Sequence, residues 1–136
     1  MKNKTIGYVY FYINGDDLDL DKCTKSIGLI PTRACHKGDY QGEKLPLARI
    51  GRWEIKIKNN EMREINTDTV NLIKTLLPVK KEIHSILKTN KNFISGIWCV
   101  VYAEDERPEL KLTAKCLRKL AKLGVKFEID YYDGTE

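Results

Sequence analysis

The side chains whose types could take part in a reaction lie in one loop near the start of the chain. Cys35 and His36 are adjacent there, and a thiol paired with an imidazole is a known nucleophile–base combination. Neighbouring side chains tend to point apart, however, so adjacency alone does not make such a pair. The second of the two histidines, His84, lies in a predicted helix. We therefore assign no catalytic residues and favour a protein that is not an enzyme.

Metal and cofactor sites leave recognisable spacings, and none is found in this sequence. Zinc sites usually draw about four Cys or His ligands from closely spaced pairs. The four cysteines here are far apart, at Cys23, Cys35, Cys99 and Cys116. The acidic run 16–21 lacks the glycine and distal glutamate of a calcium loop, and no glycine-rich phosphate-binding signature is present. We predict no metal and no cofactor.

The loop is notable for its positive charge. From Arg33 to Lys58 there are seven Lys or Arg and three Asp or Glu, which accounts for most of the net charge of +5. Guanidinium groups bind carboxylates and phosphates in bidentate geometry. The candidate binding residues in this segment are Arg33, His36, Lys37 and Arg52. Trp53 follows them and is predicted to fill the core.

A second basic set lies near the C-terminus. Lys115, Arg118, Lys119 and Lys122 recur at helical spacing, which places four cations on one face of a helix. Such a face can meet phosphates or an acidic protein. More often it is a solvated surface, since cations are favourable near a helix C-terminus. These four residues complete the candidate binding set.

Hydrophobic periodicity predicts the strands that position these residues. Segments 6–13, 53–57 and 125–132 alternate apolar and polar residues, as half-buried strands do. Segment 93–103 is apolar on both faces, which is typical of a strand inside a sheet. Segment 32–47 is punctuated by glycine and proline and is predicted to be a loop.

Capping signals predict the helices. The predicted N-caps are Asp19, Thr67 and Thr113, and the predicted C-terminal stops are Gly28 and Gly124. Pro78 suits the first turn of a further helix. The last helix is predicted to bury Leu117, Leu120 and Ala121. Together these signals predict one α+β domain over residues 1–136. It has two layers: a twisted mixed or antiparallel sheet of four to five strands, and three to four helices mainly on one face.

The other face of this sheet is predicted to carry Tyr8, Tyr10 and Tyr12. Neighbouring strands would add three lysines, Lys56, Lys58 and Lys126. Rings beside lysines suit single-stranded nucleic acid, which stacks its bases and pairs its phosphates. The same face would also carry three acids, Glu54, Glu128 and Asp130. Nucleic-acid binding is therefore the less favoured alternative.

The chain shows no signature of a membrane or secreted protein. No segment approaches the roughly 20 apolar residues of a spanning helix. Lys2 and Lys4 precede an apolar run, but the run is rich in tyrosine and lacks a small-residue cleavage site, so we interpret it as a strand. Three of the cysteines fall on predicted inward positions, as in proteins of reducing compartments. We expect a cytoplasmic protein.

Several stretches resemble a known bacterial family. They are the tyrosine-rich first strand, DLDLDKCTKSIGLIPTRACHKGD, GRWEI and LTAKCLRKLAKLGVKFEIDYY. They resemble the family called domain of unknown function 4279 over nearly the whole chain. The most specific pieces are the IGLIPT turn, the Lys37–Gly38 step, Trp53 and LGVKFEIDYY. The resemblance implies a small bacterial α+β domain in which the 31–38 loop is a family feature. It brings no activity and no catalytic residues.

These observations favour an uncharacterised, non-catalytic binding module for an acidic protein partner, comparable to an inhibitor or immunity protein. Two alternatives stay open. One is single-stranded nucleic-acid binding on the Tyr/Lys face, and the other is an enzyme using the basic loop around His36. We expect a monomer or homodimer with no membrane association.

Overall fold

The computed structural model describes residues 6–57, 65–103 and 110–133. Within these ranges the strands are β1 (Ile6–Asn14), β2 (Arg33–Cys35), β3 (Arg52–Lys56), β4 (Ile94–Ala103) and β5 (Lys126–Asp133). The helices are α1 (Leu20–Ile27), α2 (Ile65–Leu76), α3 (Lys80–Lys88) and α4 (Ala114–Leu123). A 3₁₀ turn, Leu77–Val79, joins α2 to α3.

The five strands form one mixed sheet in the order β2-β3-β1-β4-β5. β1 pairs antiparallel with both neighbours, from Tyr10 opposite Lys56 on one side and from Ile6 opposite Tyr102 on the other. β4 and β5 are parallel, and α4 provides the crossover that a parallel pair requires. The predicted α+β architecture is confirmed.

The hydrophobic core lies between the helices and one face of the sheet. β1 contributes Val9, Phe11 and Ile13, all fully buried, and β3 contributes Trp53. The helices contribute buried residues to the same cluster, among them Cys23, Ile27, Leu72, Ile73, Leu76, Ile83, Leu120 and Leu123. Burying a large apolar side chain contributes roughly 1.5–3 kcal/mol. The alternation along β1 therefore selects the face that the helices cover.

Two of the predicted helix caps are confirmed. The Asp19 carboxylate accepts a hydrogen bond from the Lys22 backbone N–H at 3.0 Å. At the start of α4, the Thr113 hydroxyl oxygen accepts from the Cys116 N–H at 3.1 Å. Gly28 and Gly124 end α1 and α4 with φ values of 75° and 72°. That region favours glycine, so the local signals placed both helices correctly.

Other local predictions are wrong, each for a physical reason. α2 already begins at Ile65, so Thr67 lies inside the helix and does not cap it. Of the three residues predicted to be buried on α4, Leu117 is 49% exposed and Ala121 is also exposed. The residues that α4 buries are Cys116, Leu120 and Leu123. The segment predicted to be a loop contains β2. The sequence did not predict this strand, because three residues are too few to show a period.

The cysteines follow the expected division. Cys23, Cys99 and Cys116 are buried, Cys35 is partly exposed, and all four are free thiols. Burial raises the pKa of the Cys23 and Cys99 thiols to about 11. Among the described residues, no helix is long and apolar enough to span a membrane.

Candidate functional site

The sheet face opposite the helices carries a line of aromatic rings that we call the aromatic row: Tyr8, Tyr10, Trp98, Tyr102 and Tyr132. Register brings them together, since Tyr10 lies opposite Trp98 and Tyr102 lies opposite Tyr132. The Tyr8 ring centroid is 6.0 Å from that of Tyr10, and the Tyr10 centroid is 5.4 Å from that of Trp98. These separations lie in the range that favours ring–ring contact.

The rings of the aromatic row are also in contact from Tyr8 towards β5. The ring centroids of Tyr8 and Tyr102 are 6.0 Å apart, and those of Tyr102 and Tyr132 are 5.7 Å apart. Sequence reasoning placed only the β1 tyrosines on this surface. Trp98 and Tyr102 were assigned to a strand apolar on both faces, and their neighbours became clear only from the strand order.

Tyr12 does not belong to the open surface. Its side chain is buried, its hydroxyl donates to a Glu128 carboxylate oxygen, and the Arg52 guanidinium lies 4.9 Å from its ring centroid. Gly96 leaves room for this arrangement, because a Cβ there would come within 2.9 Å of the Tyr12 hydroxyl. Two of the three predicted tyrosines are therefore partly exposed, and the third anchors β1 to β5.

The cations beside the aromatic row are already engaged. The Lys56 ammonium lies 3.9 Å from the Tyr8 ring centroid, a cation–π contact. Lys126 and Glu128 form an exposed ion pair at 3.9 Å. Both described lysines beside the aromatic row therefore already have a side-chain partner, a ring for Lys56 and a carboxylate for Lys126. Lys58, the remaining predicted lysine, lies outside the described residues.

The tyrosines of β1 hold their protons tightly. A hydrogen bond with Tyr102, together with burial, raises the pKa of Tyr8 to about 12. Burial raises the pKa of Tyr10 to about 12 as well, against a partial opposing effect of Arg52. Burial and the Glu128 carboxylate raise the pKa of Tyr12 further. All three side chains remain neutral hydrogen-bonding groups at physiological pH.

We expect the Tyr10 shift to appear as alkaline destabilisation. Unfolded Tyr10 loses its proton near pH 10.0, whereas the folded chain keeps it to about 12. The stability that depends on this proton is complete below the lower value and disappears as pH rises through the upper one. Urea unfolding of wild type and Tyr10→Phe, at pH values spanning this window, should show a shallower decline in the variant. Tyr40→Phe, which removes an exposed phenol outside the row, is the matched control. Identical declines in wild type and Tyr10→Phe would contradict the assignment.

A pocket of about 250 Å³ opens where the aromatic row meets β2 and β3. Its floor is the outer sheet face, and its wall is formed by Gln41 and by residues 48–50 of the loop between β2 and β3. The lining residues are Tyr10, Arg33, Cys35, Gln41, Ala48, Arg49, Ile50, Arg52 and Glu54. We call it the arginine pocket after Arg33, Arg49 and Arg52.

Strand pairing positions the floor of the arginine pocket. Arg33 lies opposite Glu54, and Cys35 lies opposite Arg52. Opposed residues in an antiparallel pair project to the same face of the sheet. The intervening Ala34 and Trp53 are also paired, and Trp53 projects into the core. The same alternation that buries Trp53 therefore brings Arg33, Arg52 and Glu54 together on the outer face.

Short-range hydrogen bonds hold the loop wall in place. The Gly38 N–H donates to the Ala48 carbonyl at 2.7 Å, and the Ala48 N–H donates to the Asp39 carbonyl at 2.9 Å. Gln41 links wall to floor. Its amide oxygen accepts from Arg33 Nη2, and its Nε2 donates to the Pro46 carbonyl at 2.8 Å. The pocket is thus built by contacts between the loop and β2.

The charges in the arginine pocket are unbalanced. Glu54 is the single carboxylate among its lining residues, and it pairs with Arg52 at 2.8 Å with both side chains less than 20% exposed. Arg33 and Arg49 have no carboxylate partner within the described ranges. Two guanidinium groups are therefore available to an anion that enters the pocket.

The remaining predicted binding residues lie elsewhere. His36 and Lys37 are exposed and face nearby acids: His36 Nδ1 lies 3.9 Å from Asp39 Oδ2, and Lys37 Nζ lies 3.4 Å from Asp16 Oδ2. Neither lines the arginine pocket. Among Lys115, Arg118, Lys119 and Lys122, Lys119 is half-buried and the others are exposed. They lie on α4, in the helical layer on the opposite side of the sheet.

Arg49 is the pocket-lining arginine that sequence reasoning did not single out. It was counted in the excess charge of the loop, but no periodic signal separated it from the other loop cations. Cys35 was weighed as a nucleophile and as a metal ligand. The structure instead places its thiol in the pocket beside Ile50, whose carbonyl oxygen lies 3.9 Å from Cys35 Sγ. Within the described ranges, no cluster of His, Cys, Asp or Glu is arranged to hold a metal ion.

The fold and the site define a small α+β domain with a partly exposed aromatic sheet face and a pocket at its edge that three arginines line. The chain belongs to the DUF4279 family, a domain of unknown function whose model matches residues 4–134. This confirms the resemblance read from the sequence motifs. Comparison with curated proteins and with solved structures found no match.

Proposed function

We propose that this domain is a non-catalytic binding module that holds an acidic segment of a protein partner in the arginine pocket. One observation carries the proposal: Arg33 and Arg49 enter the same pocket with no carboxylate partner among the described residues. Guanidinium groups without partners, set in a concave site, favour an incoming carboxylate or phosphate by charge-assisted hydrogen bonds.

The surroundings of the pocket favour a protein as the source of that anion. The loop that forms its wall exposes four large apolar side chains, between 37% and 71% exposed: Tyr40, Leu45, Leu47 and Ile50. Exposed apolar side chains gathered beside polar ones mark protein interaction surfaces. An acidic residue next to aliphatic ones in the partner would match both features.

Two further aspects complete the proposal. The free thiols suit a reducing compartment, so we place the module in the bacterial cytoplasm, as a monomer or homodimer. The enzyme alternative would need His36 in the pocket beside Arg33. His36 instead lies outside it, next to Asp39. This placement does not favour catalysis around His36.

Selection from a random peptide display library tests the proposal. Wild-type domain should enrich peptides that combine Asp or Glu with aliphatic residues. The double variant Arg33→Glu/Arg49→Glu should lose these peptides by at least about tenfold in affinity, because it replaces attraction with like-charge repulsion at the pocket. The matched control is Lys115→Glu/Lys122→Glu, which makes the same charge change on the helical side of the sheet.

The control separates a local effect from general electrostatics. If both double variants weaken the selected peptides equally, binding depends on net charge and the pocket is not the site. If the peptides are not acidic, or bind the Arg33→Glu/Arg49→Glu variant as wild type, the proposed function is wrong. Thermal unfolding of each variant shows that the fold is kept.

A second candidate function, single-stranded nucleic-acid binding, is favoured by the aromatic row. Its rings lie side by side across three strands, and partly exposed rings can stack bases. Binding of labelled oligothymidine to wild type and to the variants tests this candidate. This candidate requires micromolar, salt-sensitive binding that Trp98→Ala weakens and Arg33→Glu/Arg49→Glu weakens less. Absence of salt-sensitive binding excludes it.

A further inference from the structure

We propose that the acidic group held by the arginine pocket is a phosphate monoester on a side chain of the protein partner. The inference rests on the proposed function and specifies its ligand. It is argued from the charge balance of the pocket, the donors left free on its arginines and the aromatic residue in its floor.

Charge balance distinguishes a phosphate from a carboxylate. The pocket is lined by three guanidinium groups, Arg33, Arg49 and Arg52, and by the Glu54 carboxylate. Glu54 neutralises Arg52 at 2.8 Å, which leaves two positive charges. A phosphate monoester carries about −1.5 to −2 at pH 7 and matches both of them. A carboxylate carries only one negative charge, so one arginine would remain uncompensated beside it.

The free donors point to the same group. Each guanidinium offers five N–H donors in a planar fork. Arg52 uses its Nε on Glu54, and Arg33 uses one Nη on Gln41, so both retain donors, and Arg49 makes no hydrogen bond to another described residue. The three terminal oxygens of a phosphate can accept from several arginines at once, whereas the two oxygens of a carboxylate satisfy fewer of them.

The floor of the pocket suits a phosphate attached to an organic group. Tyr10 lines it, and the Arg52 guanidinium lies 5.2 Å from the Tyr10 ring centroid. The Arg52 guanidinium is thus oriented by the Tyr10 and Tyr12 rings and by Glu54 before any ligand arrives. Preorganised donors bind more tightly because less side-chain entropy is lost. Beyond Tyr10 the Trp98 ring continues the surface on which the rest of a phosphorylated side chain can lie.

Cys35 provides a direct readout of pocket occupancy. It lines the pocket and is the one partly exposed thiol, whereas Cys23, Cys99 and Cys116 are buried. We expect phenyl phosphate to slow carbamidomethylation of Cys35 by neutral iodoacetamide. Phenyl sulfate has the same shape but a single negative charge. It should need about tenfold higher concentration for equal protection, because it compensates only one arginine.

Affinity measured by chemical-shift titration of the ¹⁵N-labelled domain completes the test. The advantage of phenyl phosphate over phenyl sulfate should shrink as pH falls through the second phosphate pKa of about 6. Arg49→Gln and Arg33→Gln should each weaken phenyl phosphate by about tenfold. The control variant Lys81→Gln removes one exposed cation from α3, in the helical layer, and should leave the affinity for phenyl phosphate unchanged. Replacing the acidic residue of a selected peptide with phosphoserine or phosphotyrosine should tighten its binding.

Three results would overturn the inference: equal affinity for phenyl phosphate and phenyl sulfate, unchanged affinity in both arginine variants, or preference for 5′-phosphorylated oligothymidine over the phosphorylated peptide. The outcomes separate the two proposals. If acidic peptides bind in a manner that depends on Arg33 and Arg49 but phosphate brings no gain, the proposed function stands and the phosphate inference falls. If no acidic peptide binds at all, the proposed function itself fails.

Discussion

Replacement of Trp53 with alanine is expected to lower the free energy of unfolding by about 3–5 kcal/mol. Trp53 is fully buried. Its ring meets Phe11 edge-on with the centroids 6.3 Å apart, and its indole N–H donates to the Thr24 hydroxyl oxygen at 3.0 Å. The substitution leaves a large cavity between β3 and α1. Since small domains are stable by only about 5–15 kcal/mol, the variant should be close to unfolding at room temperature.

Urea unfolding followed by circular dichroism measures this loss, and Trp98→Ala is the matched control. Trp98 is also a strand tryptophan, but it lies half-buried on the outer face in contact with Tyr10. Its removal should cost clearly less, because much of the vacated space is open to water. Equal losses for the two variants would show that Trp53 does not anchor the core. Trp53→Phe should recover part of the stability by refilling the cavity.

The second large effect is expected from Gly51→Ala, at about 3 kcal/mol of lost stability. A Cβ on Gly51 would lie 2.2 Å from the Gly15 carbonyl oxygen, a distance that real Cβ atoms essentially never show. The Gly15 N–H also donates to the Gly51 carbonyl at 2.9 Å. The backbone just after β1 and the backbone just before β3 therefore run side by side, too close for a side chain at position 51. The alanine can be accommodated only by moving backbone.

Gly28→Ala is the control, because replacing this glycine costs stability through backbone conformation and not through a steric clash. Gly28 has a φ of 75°, but a Cβ there meets nothing within 4 Å. The left-handed conformation alone should cost about 1 kcal/mol. Thermal and urea unfolding measure the stability that each variant loses, and so compare the cost of the steric clash with that of the backbone strain. If Gly51→Ala loses no more stability than Gly28→Ala, the close approach of the backbone at Gly15 and Gly51 is not a constraint on the fold.

Gly51→Ala should also disturb the arginine pocket. Gly51 stands between Ile50 and Arg52, which both line it. A displaced backbone there changes the wall beside Cys35, so the alkylation rate of Cys35 should differ from wild type even under fully native conditions. The control Gly28→Ala lies at the end of α1 and should leave that rate unchanged. The close approach of Gly51 to Gly15 and the shape of the arginine pocket are thus linked.

The sequence was informative wherever a signal is confined to a few neighbouring residues. Asp19 and Gly28 predicted both ends of α1, and the alternation of β1 and β3 predicted Trp53 as core. The family motifs agreed with the matched model. Signals failed where the local pattern was short or degenerate. β2 has three residues, and on α4 the buried side follows Cys116 and not the neighbouring Leu117.

The candidate site shows the same division. The sequence alone determined that the 33–58 segment is basic, that β1 presents tyrosines opposite the core, and that Arg33 and Arg52 are candidate ligands for an anion. Only the tertiary structure decided that Arg49 joins them, that His36 and Lys37 do not, and that Trp98, Tyr102 and Tyr132 extend the row. The physical reason is range. Caps and periodicities depend on residues a few positions apart, whereas a pocket depends on strand order and register, which pair residues far apart in the chain.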